Sequence, residues 1–175
     1  MLWQVYPQSV DSKKELAERL GVSPITAGVL INRGMKDPQK AKEFLYPTLT
    51  HLHDPFLMTG MEEAVRRIIA AVRNRENILI YGDYDADGAT STALLVRFFR
   101  LIGVDAHYYI PHRIDEGYGI SKTAIDQIKR LSSSLIITVD NGISAFDEIE
   151  HANSLGMDVI VTDHHEPPEK LPKAF

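Results

Sequence analysis

The stretch Ile78-Leu-Ile-Tyr-Gly-Asp-Tyr-Asp-Ala-Asp-Gly-Ala-Thr-Ser-Thr92 decides how this chain is read. Its first residues, Ile78 to Tyr81, form an apolar run with the length and β-rich composition of a buried strand. Carboxylates then follow at alternate positions, Asp83, Asp85 and Asp87, before Gly88 and a long helical pattern. The acids therefore fall at the carboxyl end of a strand, where open α/β sheets keep their sites. Carboxylates this close repel one another, and without a cation folding either raises their pKa values or costs free energy. A divalent metal removes that cost, so the stretch reads first as metal-binding.

Other readings compete with it. Asp-x-Asp-x-Asp-Gly opens a calcium EF-hand loop, but the twelfth position of that loop is a bidentate Glu. Counted from Asp83, that position is Leu94, and the reading fails. A phosphate-cradling P-loop requires Gly-Lys-Ser/Thr, and no Lys is present in the stretch. Asp-x-Asp after a strand also resembles the nucleophile motif of haloacid-dehalogenase-type phosphatases, in which the first Asp is phosphorylated. The blandest alternative is an acidic turn in which Asp87 caps the next helix. The stretch alone leaves these last two open.

Bulk composition narrows the class. At 175 residues, with 44% hydrophobic and 25% charged residues, the chain is expected to be globular, with room for one ordinary domain and an appendage. It contains no cysteine, which excludes a disulfide framework, a thiolate zinc site and a cysteine nucleophile. The expected compartment is the cytoplasm. Met1 to Val10 lacks the basic and apolar regions of a signal peptide. No apolar run approaches the roughly 20 residues of a membrane-spanning helix, so no membrane partner is expected. A net charge of −5 means that any nucleic-acid role must rest on a local patch.

Upstream of the acidic stretch, residues 1–60 read as a small helical appendage and 61–175 as the main domain. Helices are expected from Ser12 to Leu20, with Ser12 and Glu15 in capping-box relation, from Ser23-Pro24 through Ile31, and from Asp37-Pro38 to Leu45. Pro47 to Pro55 reads as irregular. Trp3, Phe44, Tyr46 and Phe56 are expected to pack this region together. It is expected to supply no metal ligand, His51 and His53 being its candidates. Met61 to Asn74 has helical period, with Arg66, Arg67, Arg73 and Arg75 read as a solvated face.

From Ile78 the pattern alternates. The expected order is strand Ile78–Tyr81, a helix from about Ala89 to Ile102 with Leu94, Leu95, Phe98 and Leu101 on its apolar face, and strand Ala106–Ile110. A loop, Pro111 to Gly119, then leads to a helix from Ser121 to Leu131 and strand Leu135–Val139. A helix from Ser144 to Leu155, with Asp147 in capping-box relation, precedes strand Asp158–Val161. Strands alternating with helices imply βαβ units, that is, an α/β, Rossmann-like parallel sheet with helices on both faces. Right-handed crossovers then leave every strand's carboxyl end on one edge.

What collects at that edge is chemical. Asp83, Asp85 and Asp87 follow the first strand, Asp140 and Asn141-Gly142 the third, and Asp163, His164 and His165 the fourth. Carboxylate and imidazole ligands without thiolate suit Mn²⁺, Mg²⁺ or Fe²⁺ better than structural zinc. One carboxylate such as Asp140 can bridge two metals. Asp140 as a helix cap, and the His pair as a surface loop, are the bland alternatives. In the loop after the second strand, Arg113 and His112 have the chemistry to hold a phosphate and Tyr118 to stack on a base. A merely structured loop, with glycines meeting backbone needs, is the alternative there.

Assembled, these segments resemble the DHH phosphoesterase family, and within it the bacterial single-strand-specific exonucleases. The matching pieces are Asn32-Arg-Gly34, Phe44-Leu45 with Pro47, Asp54-Pro55, Tyr81-Gly-Asp-Tyr-Asp-Ala-Asp-Gly88, Ile110-Pro111 with Arg113, Glu116-Gly-Tyr-Gly119, Thr138-Val-Asp-Asn-Gly-Ile143 and Val161-Thr-Asp-His-His-Glu166. The resemblance implies a two-metal site run with Mn²⁺ or Mg²⁺. By position, Asp85, Asp87, Asp140 and His164 match metal ligands, and Asp83 lies close to a further one. His165 matches the residue beside the scissile phosphate, and Asp163 precedes it in the catalytic motif. Arg113 and Tyr118 are the expected substrate contacts.

The implied activity is 5′→3′ hydrolysis of single-stranded DNA in repair and recombination, with other DNA-repair proteins as partners. Alternatives are another phosphoesterase activity of the family, on short oligonucleotides, cyclic dinucleotides or pyrophosphate, and an inert nucleic-acid-binding piece. The haloacid-dehalogenase reading falls here, because it does not explain Asp163-His164-His165. Relatives continue past the third motif with a further acidic ligand and a second lobe. The chain is therefore expected to be an amino-terminal fragment with little or no activity of its own.

Overall fold

The computed structural model describes Pro7 and residues 9–175. They form two compact units, the first running to Pro55 and the second spanning Phe56–Phe175. No helix among the described residues is long and apolar enough to cross a membrane.

The first unit is built from α1 (Val10–Leu20), α2 (Pro24–Asn32) and α3 (Pro38–Leu45). Each is capped by a side-chain oxygen that takes an orphan backbone N–H: Ser9 from Ser12, Ser23 from Thr26 and Asp37 from Lys40. Helix α1 thus starts ahead of Ser12, which lies inside it; Ser9 is the cap because its extended backbone can close the first turn. Gly21, at φ 66°, ends α1 in the left-handed conformation that favours glycine.

The core of this unit is aliphatic: Leu16, Ala17, Ala27, Leu30 and Ala41. Of the aromatic residues expected to pack this region, Phe44, Tyr46 and Phe56 are each at least half exposed, and Trp3 lies outside the described residues. Between Pro47 and Pro55 the chain is irregular except for a short turn, Leu49–His51, where the Thr48 N–H donates to His51 Nδ1.

The second unit is a four-stranded parallel sheet in the order β2-β1-β3-β4, from β1 (Ile78–Tyr81), β2 (His107–Tyr109), β3 (Leu135–Val139) and β4 (Asp158–Thr162). Helices α4 (Met61–Asn74) and α5 (Ala86–Leu101) cover one face, and α6 (Lys122–Arg130) and α7 (Phe146–Ser154) the other. Strand alternation divides the core: Ile78, Ile80, Leu135 and Ile137 pack under α4 and α5, while Leu79, Tyr81 and Ile136 pack under α6 and α7. The chain leaves β1 in one direction to reach β2 and crosses in the other to β3. Between β1 and β3 lies the switch point where such sheets bind ligands.

Helix α5 departs from its predicted form in two ways. It begins at Ala86, because Asp85 caps it, and it buries Gly88, Thr92 and Phe99 with Leu95 and Val96 partly covered. Leu94, Phe98 and Leu101 are exposed. Close contact at Gly88 sets the helix's rotation, and the stripe at i, i+4, i+7, i+8 and i+11 from Gly88 follows from it. Helix α7 begins at Phe146 after Ala145, so neither Ser144 nor Asp140 caps it, and the predicted capping box is absent.

Arg67, expected on a solvated face, instead ties the amino-terminal end of the sheet together. Its Nε donates to Asp158 Oδ2 at 2.5 Å and its Nη2 to Glu76 Oε2 at 2.6 Å, with the Ser134 hydroxyl donating to the same Glu76 oxygen. Arg67 holds Glu76 below the usual carboxylate range, chiefly through this hydrogen bond. Arg67→Ala should destabilise the fold by about 2–3 kcal/mol, because both half-covered carboxylates lose their partner. The depressed Glu76 contributes stability above its unfolded pKa that is lost as pH falls through its folded value. Urea unfolding at pH 7 and at pH 3 should therefore show the Arg67→Ala penalty shrinking in acid.

Candidate metal centre

At the carboxyl edge, β1 runs into Gly82 and Asp83. The Asp83 side chain is buried, and its Oδ1 accepts the Tyr84 N–H at 2.7 Å. Gly82 and Gly88 allow β1 and α5 to meet there. A Cβ on Gly88 would lie 2.5 Å from the Asp83 nitrogen, and one on Gly82 would overlap Thr92 Oγ1. Asp85 caps α5 by accepting the Asp87 and Gly88 N–H groups, both at 3.0 Å, through Oδ1. The Gly88 N–H is the largest cause holding Asp85 below the usual carboxylate range. Both of these bonds go to one oxygen, and the carboxyl group also meets that of Asp140.

Asp140 ends β3 in the left-handed conformation at φ 64°, its N–H donating to Thr162 O. It is 8% exposed, and burial, followed by the nearby charge of Asp85, raises its pKa. His164 Nε2 stands 2.9 Å from Asp140 Oδ1. Asp163 is held below the usual range: burial opposes this, but the Ile143 N–H at 3.0 Å and the His165 ring at 2.7 Å outweigh it. The same contact with Asp163 raises the pKa of His165.

Two groups of ligand atoms result, each within 4.8 Å of one another: Asp83, Asp85 and Asp140, and Asp140, His164 and His165. Asp140 is common to both. The donors are carboxylate and imidazole only, a set that fits Mn²⁺ or Mg²⁺. Asp87 lies in the exposed first turn of α5, outside both groups. Arg113 lies over the Tyr84 ring at 5.3 Å, and Tyr118 reaches Asp140 and His165. A cavity of about 560 Å³ opens beside His165, bounded by Tyr118, Ile120, Ile143, Ser144 and Glu148.

Asn141 was not among the expected site residues, although it is fully buried. Its Nδ2 donates to Val139 O at 2.9 Å and to Tyr81 O at 3.5 Å, bracing the ends of β1 and β3 on either side of the acids. The signal available for it was the polar Asn-Gly pair directly after a buried strand. Gly142, at φ 108° and packed against Thr138, completes that turn.

Acids and imidazoles thus gather at the switch point of a doubly wound parallel sheet, which makes this an α/β protein with the donor set of a divalent-cation site at its carboxyl edge. Residues 77–175 match the DHH family, N-terminal domain, and the chain belongs to that family. It is 44% identical, over 98% of its length, to the single-stranded-DNA-specific exonuclease RecJ of Bacillus subtilis, and 39% identical, over 98%, to that of Escherichia coli. It spans 22% and 29% of those proteins. Among solved structures, RecJ of Thermus thermophilus in complex with Mn²⁺ superposes with a TM-score of 0.73 at 33% identity, covering 95% of this chain and 23% of that one. A manganese-bound exonuclease RecJ superposes with 0.63 at 41% identity, covering 67% and 30%.

Proposed function

We propose that this chain holds the metals and the scissile phosphate of a phosphodiesterase that removes nucleotides from the 5′ end of single-stranded DNA. The observation that carries the reading is Asp140, one buried carboxylate common to two groups of ligand atoms. Asp83, Asp85, Asp140 and His164 would hold Mn²⁺ or Mg²⁺, joined by Asp87 on the strength of its position in the family motif. When bound, such a pair lowers the pKa of an attacking water and neutralises charge on the phosphoryl oxygens.

The chain's own side chains do the rest. Asp163 orients His165 through Nδ1 and favours its charged form, so that Nε2 donates toward a phosphoryl oxygen. Arg113 adds a cation for a neighbouring phosphate, and the ring of Tyr118 offers a face for a base. The manganese-bound relatives support the metal, and the single-stranded-DNA-specific exonuclease activity of the relatives supports the substrate. Action in the cytoplasm alongside other DNA-repair proteins is part of the same proposal.

The test is Mn²⁺-dependent release of nucleotides from single-stranded DNA labelled at its 5′ end. Release by this chain should be slow, because a net charge of −5 opposes strand binding that elsewhere relies on a basic, aromatic-lined groove. It should vanish in both Asp140→Ala and His165→Ala. Release that survives both substitutions would remove the proposed centre from the chemistry.

A further inference from the structure

We propose that Tyr118 is a positioning residue, its hydroxyl joining the backbone of Asp140 to the ring of His165. The inference rests on the proposed function only in taking those two residues as working parts of the site. The Tyr118 residue is 56% exposed, yet its hydroxyl turns inward. It lies 3.3 Å from the Asp140 carbonyl oxygen and 3.3 Å from His165 Nδ1, and the two rings meet edge to face at 5.9 Å.

Proton bookkeeping allows one consistent arrangement. The Asp140 carbonyl only accepts, so the Tyr118 O–H donates to it. The phenolic oxygen is then left as an acceptor facing His165 Nδ1. That nitrogen directs its N–H mainly to Asp163 Oδ1 at 2.7 Å, with Tyr118 as a second acceptor. Both neighbours therefore require the same ring nitrogen to carry hydrogen, and Nε2 is the one presented to substrate. At the other end, Asp140 sits in a left-handed conformation that costs an L-residue free energy. Its backbone is held there by the bond to Thr162 O on one side and by Tyr118 on the other.

The loop that carries Tyr118 is fixed at both ends. Tyr109 Oη donates to Glu116 Oε2 at 2.5 Å, and the His112 N–H to Glu116 Oε1 at 2.8 Å. Beyond Tyr118, Tyr81 Oη donates to Gly119 O at 3.1 Å. Gly117 and Gly119, at φ 80° and 81°, make the turns on either side of Tyr118. Glu116 and Tyr109 therefore act as the latch that delivers the hydroxyl.

The test compares the 175-residue chain with Tyr118→Phe and Tyr109→Phe, each of which deletes one hydroxyl. Three quantities are read: Mn²⁺ affinity by calorimetry, the His165 ring resonances in proton–nitrogen correlation spectra, and the thermal midpoint. Tyr118→Phe should weaken Mn²⁺ binding about fivefold, the value of one hydrogen bond, and shift the His165 Nδ1 resonance. Tyr109→Phe should move both readouts in the same direction by less.

A lowered thermal midpoint with both site readouts unchanged would mean a merely structural tyrosine and would overturn the inference. If Tyr118→Phe fails to fold, Tyr109→Phe decides by the same two readouts. If the unaltered chain binds no Mn²⁺, the proposed function falls, and the Tyr118 link is judged by the His165 resonances alone.

Discussion

Replacing Asp140 with alanine should weaken Mn²⁺ binding by more than about a hundredfold. Loss of a group that merely supports a metal ligand costs roughly 10–100-fold in affinity, and Asp140 stands among the ligand atoms of both groups. Calorimetric titration of the chain and the variant measures this. Asp140→Asn is the informative control, because it tolerates the left-handed backbone as Asp does and removes only the charge. It should lose most of the affinity while keeping the fold.

The raised pKa of Asp140 adds a pH dependence. Burial, then Asp85, makes its ionised form costly, so the metal-free chain loses stability as pH rises through the folded pKa of Asp140. A bound cation reverses that cost, and binding it displaces the proton. The rise in melting temperature produced by saturating Mn²⁺ should therefore grow between pH 4 and pH 7. A rise that is constant with pH would show that Asp140 is not the group being discharged.

Gly88→Ala should be nearly as damaging to the site and more damaging to the fold. The added Cβ would sit 2.5 Å from the Asp83 nitrogen and 2.6 Å from its Cα and Cβ. These are largely backbone atoms, so no rotamer change relieves the overlap, and either α5 or the acidic turn must move. We expect a loss of about 3 kcal/mol, the upper range for overpacking, after the gain of up to about 1 kcal/mol in helix propensity. Because the displaced atoms belong to Asp83 and to the helix that Asp85 caps, Mn²⁺ affinity should fall as well. Gly156→Ala is the contrast: at φ 73° it is strained but meets nothing within 4 Å. It should cost about 1–2 kcal/mol and leave Mn²⁺ binding unchanged.

The strands and the common edge were legible because they depend on local signals. Ile78–Tyr81 and Leu135–Val139 are apolar runs fully buried between two helical layers, and the acids and imidazoles follow strand ends directly. What was not legible depends on partners far apart in the chain. Arg67 reads as one more surface arginine because Glu76 and Asp158 are 9 and 91 positions away. The buried face of α5 was misread because Leu94, Phe98 and Leu101 are the larger residues, while the close approach at Gly88 selects a different stripe. Spelling alone also made Asp83, Asp85 and Asp87 look equivalent. The helix starts between them, so Asp83 is buried at a strand end, Asp85 is a cap and Asp87 is exposed in the first turn.

On the proposed function, one carboxylate, that of Asp140, serves two cation positions at the switch point of the sheet. Electron paramagnetic resonance of the chain titrated with Mn²⁺ tests it most directly, because two ions bridged by one carboxylate couple their spins. We expect a coupled signal at saturation, with two ions per chain, and its loss in Asp140→Ala. Two uncoupled ions, or a coupled pair that persists in Asp140→Ala, would contradict it.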